Sequence, residues 1–394
     1  MRNLTSVYVT LLLWIAGLCA AAQFAKMGLI LPELQTLYPN SGASTGFLIS
    51  LISLVGALFG LVAGIVVGRI GPRKVLLAGL AIGSLISFIQ TLELPLPLLL
   101  ATRVIEGASH LAIVVAAPTL IAHFSSIRFR AAAMTLWGTF FSVSFSVTAW
   151  LGLPLAQTHG VHTLFLAHAI CMTLITLLVA FTLPIVTLQS NNGAQAAKSL
   201  SFTRFYQQHK QAWLSPHIAA PAAGWLFYTI TFVALLSILP GLVPSDQRTT
   251  VSVVLPLASI ASSMTIGVAL LWRYTAVQVL LFGFAIAIGF ALLLLLNPNS
   301  APLSVLLFCA MGLVQGASFA AIPQLNKEAP NQALAYGALA QAGNIGNLCG
   351  TPLLLFLYNT GGSNAMMLFV MLCYSGAIVI HTLFAKLRAA NNRG

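Results

Sequence analysis

Apolar residues fall along this chain in runs of about 20, divided by short segments that collect Gly, Pro, Asn and basic residues. Within each run hydrophobicity is continuous and does not alternate from one residue to the next, which argues for helices and against the strands of a β-barrel. A hydrocarbon core of about 30 Å is crossed by about 20 helical residues at a rise of about 1.5 Å each, so each run predicts one membrane-spanning helix. Twelve are predicted: 5–31, 46–67, 75–89, 96–122, 131–153 and 163–186, then 219–239, 251–272, 277–296, 303–323, 333–358 and 365–384. The first run exceeds the roughly 7–15 residues of a secretory signal core and is expected to be a retained helix. The longest non-apolar stretch, 189–211, divides the chain into a six-span half at 1–188 and another at 212–394. Its "QSNNGAQAAKSL" reads as a flexible linker, and its "FTRFYQQHKQAW" suits either a short helix in the headgroup region or a continuation of the linker.

Composition agrees: 59% of residues are hydrophobic, 6% are charged, and the mean hydropathy is +0.98. The net charge of +12 does not point to nucleic acid, because the cations are scattered between apolar runs and form no basic face. Threading twelve spans puts Arg2, Arg69, Arg73, Lys74, Arg128, Arg130, Lys198, Arg204, Lys210, Arg273, Lys327, Lys386, Arg388 and Arg393 on the side of the termini, fourteen of the seventeen Lys and Arg. By the positive-inside rule both termini are expected in the cytoplasm. Of the other three, Arg248 falls in an outer loop, and Lys26 and Arg103 fall inside spans. The five cysteines lie in apolar runs without metal-ligand or redox spacing and read as packing residues.

The halves resemble each other. "GIVVGRIGPRKVLL" aligns with "GVALLWRYTAVQVLL", pairing Arg69 with Arg273, and "GASHLAIVVAAP" aligns with "GLVQGASFAAIP", pairing Gly107 with Gly312 and His110 with Gln315. Six-helix repeats are a known construction for transporters, with the substrate site at the repeat interface.

Twelve spans, a 6+6 repeat and a central loop resemble the major facilitator superfamily over essentially the whole chain. "GIVVGRIGPRK" is similar to that family's G-x-x-x-D-R-x-G-R-[RK] loop through Gly64, Arg69, Gly71, Arg73 and Lys74, and "LLLATRVIEGASH" to its L-x-x-x-R-x-x-Q-G motif through Leu99, Arg103 and Gly107. Short loops and general character look most like the cyanate-permease-type members. There are departures. Gly68 occupies the loop's acidic position, Glu106 stands where Gln is usual, and the fifth span lacks the G-P-x-x-G-G pattern of proton-antiporting drug exporters apart from Gly152 and Pro154. The resemblance implies two pseudo-symmetric six-helix bundles in a bacterial inner (plasma) membrane, working as a monomer.

The chemistry concentrates in "RVIEGASH". Arg103, Glu106 and His110 fall within about 60° of one another around one helix face. A charge at membrane depth costs about 2.5–3.5 kcal/mol on insertion scales and needs a partner or water. Three readings stand. Arg103 and Glu106 form an i,i+3 ion pair while His110 makes one interhelical hydrogen bond; or the face lines a water-filled cavity where Arg103 binds an anionic substrate group; or Glu106 carries a coupling proton. Gln23 and Lys26 share a face of the first span, where Lys26 either snorkels to the headgroups or turns inward towards Glu106. The second half offers neutral groups: Trp225 with Tyr228, Gln315 with Ser318, and Gln341 with Asn344 and Asn347. They suit a polar solute or ordinary interhelical hydrogen bonding. Glycines at 56, 60, 64 and 68 and at 343, 346 and 350 permit close packing of the second and eleventh spans.

The expectation is a secondary active transporter of a small polar or anionic solute, proton-coupled and working by alternating access. The rivals are an uncoupled facilitator and a proton-antiporting exporter. Expected partners are that solute, protons and the lipid bilayer. No Cys/His pair, metal-ligand spacing or phosphate loop supports an enzyme, a metal or a cofactor.

Overall fold

In a computed structural model of the protein, residues 2–125, 133–134, 136–184, 207, 210, 212–327 and 329–391 are described, and these build helices joined by short connectors. The linker 189–211 falls outside the described residues, positions 207 and 210 apart. Span 1 is Arg2–Gly28, span 3 Pro72–Ile89, span 4 Leu96–Phe124 and span 6 Val161–Thr182. In the second half, span 7 is Ala219–Ile238, span 9 Ala276–Leu296 and span 10 Ala301–Leu325.

Ten described helices are long and apolar enough to cross a membrane. One of them contains spans 11 and 12, for the 63-residue run Ala329–Asn391 breaks at Gly362, whose φ of +68° is open to glycine at little cost. Span 2 is completed by a bent pair, Gly42–Ser50 and Ser53–Gly60, at 54°. Twelve spans result. The bend in span 2 has a local cause. Arg103 Nε donates to the carbonyl of Leu48 at 2.6 Å, and Gly107 of span 4 lies against the carbonyl of Ile52. A side chain that draws carbonyls out of a helix ladder is a recognised source of kinks.

Span 5 runs past the expected 153 to His159, through Phe140–Val147, a π-turn at Thr148–Gly152 and Leu153–His159. Pro154 falls in the first turn of that last segment, where a missing N–H costs nothing. Span 8 is Ser245–Ser262, continued through a π-turn at Ser263–Gly267 into Val268–Leu271.

Packing follows the repeat. In the first half span 4 packs on spans 1, 2 and 3, and span 6 on spans 1 and 3; in the second, span 10 packs on spans 7, 8 and 9, and the run holding spans 11 and 12 on spans 7 and 9. Between halves the main contacts are span 2 with span 11 and span 5 with span 8, which exchange under the same correspondence. The aligned glycines do equivalent work: a Cβ on Gly107 would strike the Ile52 carbonyl, and one on Gly312 the Ser259 carbonyl. Gly107→Ala and Gly312→Ala are therefore each expected to destabilise the protein by about 1–3 kcal/mol, because backbone cannot step aside. Gly60→Ala, with open space around its Cβ position, should be neutral. Unfolding in matched detergent checks this, and equal effects at all three positions would count against the close-approach account.

The core is asymmetric across the bilayer. At the end away from the termini, one continuous cluster joins Met27, Leu31 and Leu48 of the first half to Phe232, Leu236 and Leu354 of the second. Towards the termini it divides: Val9, Leu13, Val75, Leu120 and Val179 belong to a cluster of the first half, Ile218, Ile322, Ala335 and Leu339 to one of the second. Polar contacts close the same end. Arg248 pairs with Glu33 at 2.9 Å and donates to the Leu29 carbonyl at 2.8 Å, while Ser146 Oγ donates to the Val253 carbonyl at 3.0 Å. The halves are thus joined at the end away from the termini and have separate cores at the end near them.

Candidate functional site

Spans 1, 3, 4 and 6 converge in the part of the first bundle away from the termini. Each contributes polar side chains to one cluster. Lys26 Nζ donates to Glu106 Oε1 at 2.6 Å, to Gln90 Oε1 at 2.7 Å and to Ser87 Oγ at 2.7 Å. Glu106 Oε2 accepts from Arg103 and, at 3.1 Å, from Gln90. Arg103 is filled by the carbonyls of Leu48 at 2.6 Å and Gln23 at 2.7 Å. Lys26, Arg103 and Glu106 are all fully buried. Two cations and one carboxylate leave the cluster with a net charge of +1.

His168 of span 6 borders the ammonium. Its Nε2 lies 2.9 Å from the Cys19 carbonyl, which can only accept, so Nε2 carries the proton. Its Nδ1 lies 2.7 Å from the Ser87 hydroxyl. Gln23 Nε2 donates to Ser109 Oγ at 2.9 Å, leaving its own Oε1 buried and unpartnered.

Arg103 and Glu106 do form the i,i+3 pair, and His110 makes an interhelical hydrogen bond, 3.0 Å from Nδ1 to the Ala20 carbonyl. Lys26 turns inward instead of snorkelling. The expectation that Arg103 and Glu106 face open water is not met in this conformation, because groups from spans 1, 2 and 3 enclose them. His110 keeps partial exposure, with the Phe24 ring edge-on at 5.1 Å.

In the second half the equivalent positions lie 205 or 206 residues further along and are neutral. Thr231 stands for Lys26, Phe308 for Arg103, Met311 for Glu106 and Tyr374 for His168. The Thr231 and Tyr374 hydroxyls are 3.0 Å apart, as Lys26 and His168 neighbour each other in the charged set, and Tyr374 donates to the Met311 sulfur at 3.3 Å. Charge thus lies in one of the two corresponding sites and not in the other.

The remaining candidates form two groups. Trp225 stacks on Tyr228 at 4.5 Å, and Gln315 Oε1 accepts from Tyr228 and Ser259, both at 3.4 Å. Gln341 and Asn344 instead sit where span 11 meets span 2. Gln341 Nε2 donates to the Ala57 carbonyl at 3.4 Å, and Asn344 lies against Gly56. In the loop motif, Gly71 has a φ of +97°, and Arg73 donates to the carbonyls of Leu183 at 2.8 Å and Ala180 at 2.6 Å. It thereby caps the end of span 6, where free carbonyls favour a cation. Lys74 is exposed, and the side-chain positions of Gly64 and Arg69 lie outside the described part.

Sequence reasoning missed Ser87, Gln90, Thr102 and His168. Ser87 and Gln90 carried a weak signal, being three residues apart at the end of an apolar run and so on one helix face.

Comparison with known proteins agrees with this architecture. Residues 13–351 match the Major Facilitator Superfamily. The chain is also 28% identical over 164 residues to the inner membrane transport protein YajR of Escherichia coli (strain K12), an alignment covering 41% of this chain and 36% of that protein. The chain therefore matches only about a third of that relative's length. These matches identify the superfamily as a whole and not its cyanate-permease-type branch. With the family matched across most of the chain and twelve spans in two corresponding sets, this integral membrane protein belongs to the major facilitator superfamily, whose members carry small molecules across the bilayer and are not enzymes.

Proposed function

We propose that the protein is a proton-coupled secondary transporter of a small polar or anionic solute. Its two bundles, 1–188 and 212–394, rock as units against each other, and it acts as a monomer. Both termini lie in the cytoplasm, and the membrane is a bacterial inner membrane, as the name of the relative says of that protein. The observation that carries the reading is the buried Lys26–Glu106–Arg103 cluster and its charge of +1. Adding a proton would bring it to +2 in a low-dielectric interior, whereas losing one leaves it neutral. The exchangeable proton is therefore the one shared by Lys26 and Glu106, which refines the earlier expectation that Glu106 alone carries it. An anion in the cleft between the bundles, near His110 and Gln315, favours the charged form of the cluster. By linkage, protonation then favours anion binding to the same degree. The solute is expected to enter from the outer side and leave at the inner end, where the two cores are separate.

Full enclosure of the cluster also suits an uncoupled facilitator, in which the same charges only hold spans together. Proteoliposomes decide. The solute is first found by a thermal-shift screen, since a ligand preferring the folded state raises its stability. An imposed proton gradient, acid outside, is then expected to drive its accumulation above equilibrium. Equilibration without accumulation would establish the facilitator, and proton movement against the solute an exporter.

A further inference from the structure

A cavity of ≈ 470 Å³ lies at the outer end of the first bundle, between the starts of spans 4 and 6, the end of span 3 and the short helix Leu31–Leu37. It holds on the order of ten waters at about 30 Å³ each. Its walls include Glu93, His162, Gln90 and Phe165. The last two are also walls of the charged cluster. Gln90 accepts from Lys26 at 2.7 Å and donates to Glu106 at 3.1 Å, and the Phe165 ring lies 5.8 Å from Lys26 Nζ. At the mouth, Glu93 is exposed, while His162 Nδ1 is buried without a hydrogen-bond partner. The continuous outer core meanwhile closes the alternative route between the bundles.

We propose that this cavity is an outer-side proton entry, through which the Lys26–Glu106 pair exchanges protons with the outside while the cleft between the bundles is shut on that side. The inference rests on the proton-coupled reading above and adds its route. Gln90 is a positioning residue here. Its amide does not titrate, but turning it aside opens Lys26 Nζ to water in the cavity. His162 adds its ring to the cavity wall along that path, and Glu93 an acidic side chain at the mouth. Among the described residues the groups facing the exchanging pair are Arg103 and His110 on span 4, Gln90 and Ser87 on span 3 and His168 on span 6, while on span 2 the Leu48 carbonyl approaches through Arg103. With water on one side and one neutral amide between, the pair has a path that needs no rearrangement of the bundles.

The test follows the carboxylate stretch of Glu106 by time-resolved infrared spectroscopy, in sealed, outside-out oriented proteoliposomes with the internal pH clamped. The band is assigned by its displacement in Glu106→Asp. Raising the external pH is expected to shift the wild-type band as its ammonium partner loses a proton. Gln90→Leu and His162→Phe should each slow that response at least tenfold; His162→Phe, which touches no member of the cluster, should leave the response to an internal jump unchanged. A wild-type band that answers only to internal pH, or outside responses unaltered in both variants, would overturn the route and leave the coupling reading standing. A band deaf to both sides would overturn the two together.

Discussion

Glu106→Gln is expected to cost about 3–5 kcal/mol of stability, while Lys26→Met stays within about 1–2 kcal/mol of the wild type. Both substitutions remove one charge from the same cluster, and their effects differ because of what remains. Without the carboxylate, Lys26 and Arg103 are two buried cations with no counter-charge, held near each other by the packing of spans 1 and 4. Without the ammonium, Arg103 and Glu106 remain as a neutral pair that keeps its carbonyl and amide partners. Ser87 retains His168, and Gln90 retains Thr102 at 2.9 Å, so Lys26→Met strands few polar groups. Unfolding of the variants in matched detergent provides the comparison. Equal losses would mean that the cluster is held by hydrogen bonds and not by its charge balance.

Gly46→Leu is expected to shift the protein towards an outer-open state by a factor of about 5–150, the equivalent of the roughly 1–3 kcal/mol that overpacking costs the closed form. A Cβ on Gly46 would already lie 2.7 Å from Pro352 Cα, so span 2 and span 11 meet there backbone to backbone. A larger side chain there presses on that backbone, and parting the halves at this end relieves it. Spin labels at Leu37→Cys and Asp246→Cys, exposed positions on opposite halves, report the change as a longer distance. Gly60→Leu lies in span 2 with nothing within 4 Å of its Cβ position and should leave the distance unchanged. An unaltered distribution in Gly46→Leu would show that the outer contact bears no part in closure.

Much of the architecture was legible because the bilayer imposes it. A continuous apolar run can be satisfied in lipid by little except a helix, and the alignment of Gly107 with Gly312 already contained the correspondence that the packing repeats. Span ends were less legible. The break before Pro154 looked like a terminus, but a π-turn sets that proline into a first turn, and the separation of spans 11 and 12 narrows to a single glycine.

The candidate site was half legible. The spacing of Arg103 and Glu106 put them on one face, and their pairing followed. The inward turn of Lys26 did not, since a lysine near a span end has two good solutions. Ser87, Gln90 and His168 each stand nearly alone in apolar sequence, and only the convergence of three helices makes them partners of one ammonium. Overlooking those partners is what made open water look necessary around Arg103 and Glu106.

The most direct test of the central claim, that the Lys26–Glu106 pair carries the coupling proton, is the number of protons moved per solute in proteoliposomes containing wild-type or Lys26→Met protein, read from an internal pH dye during solute uptake. The wild type should acidify the interior in step with uptake, whereas Lys26→Met should equilibrate the solute with no accompanying acidification. An unchanged proton-to-solute ratio in Lys26→Met would contradict the claim.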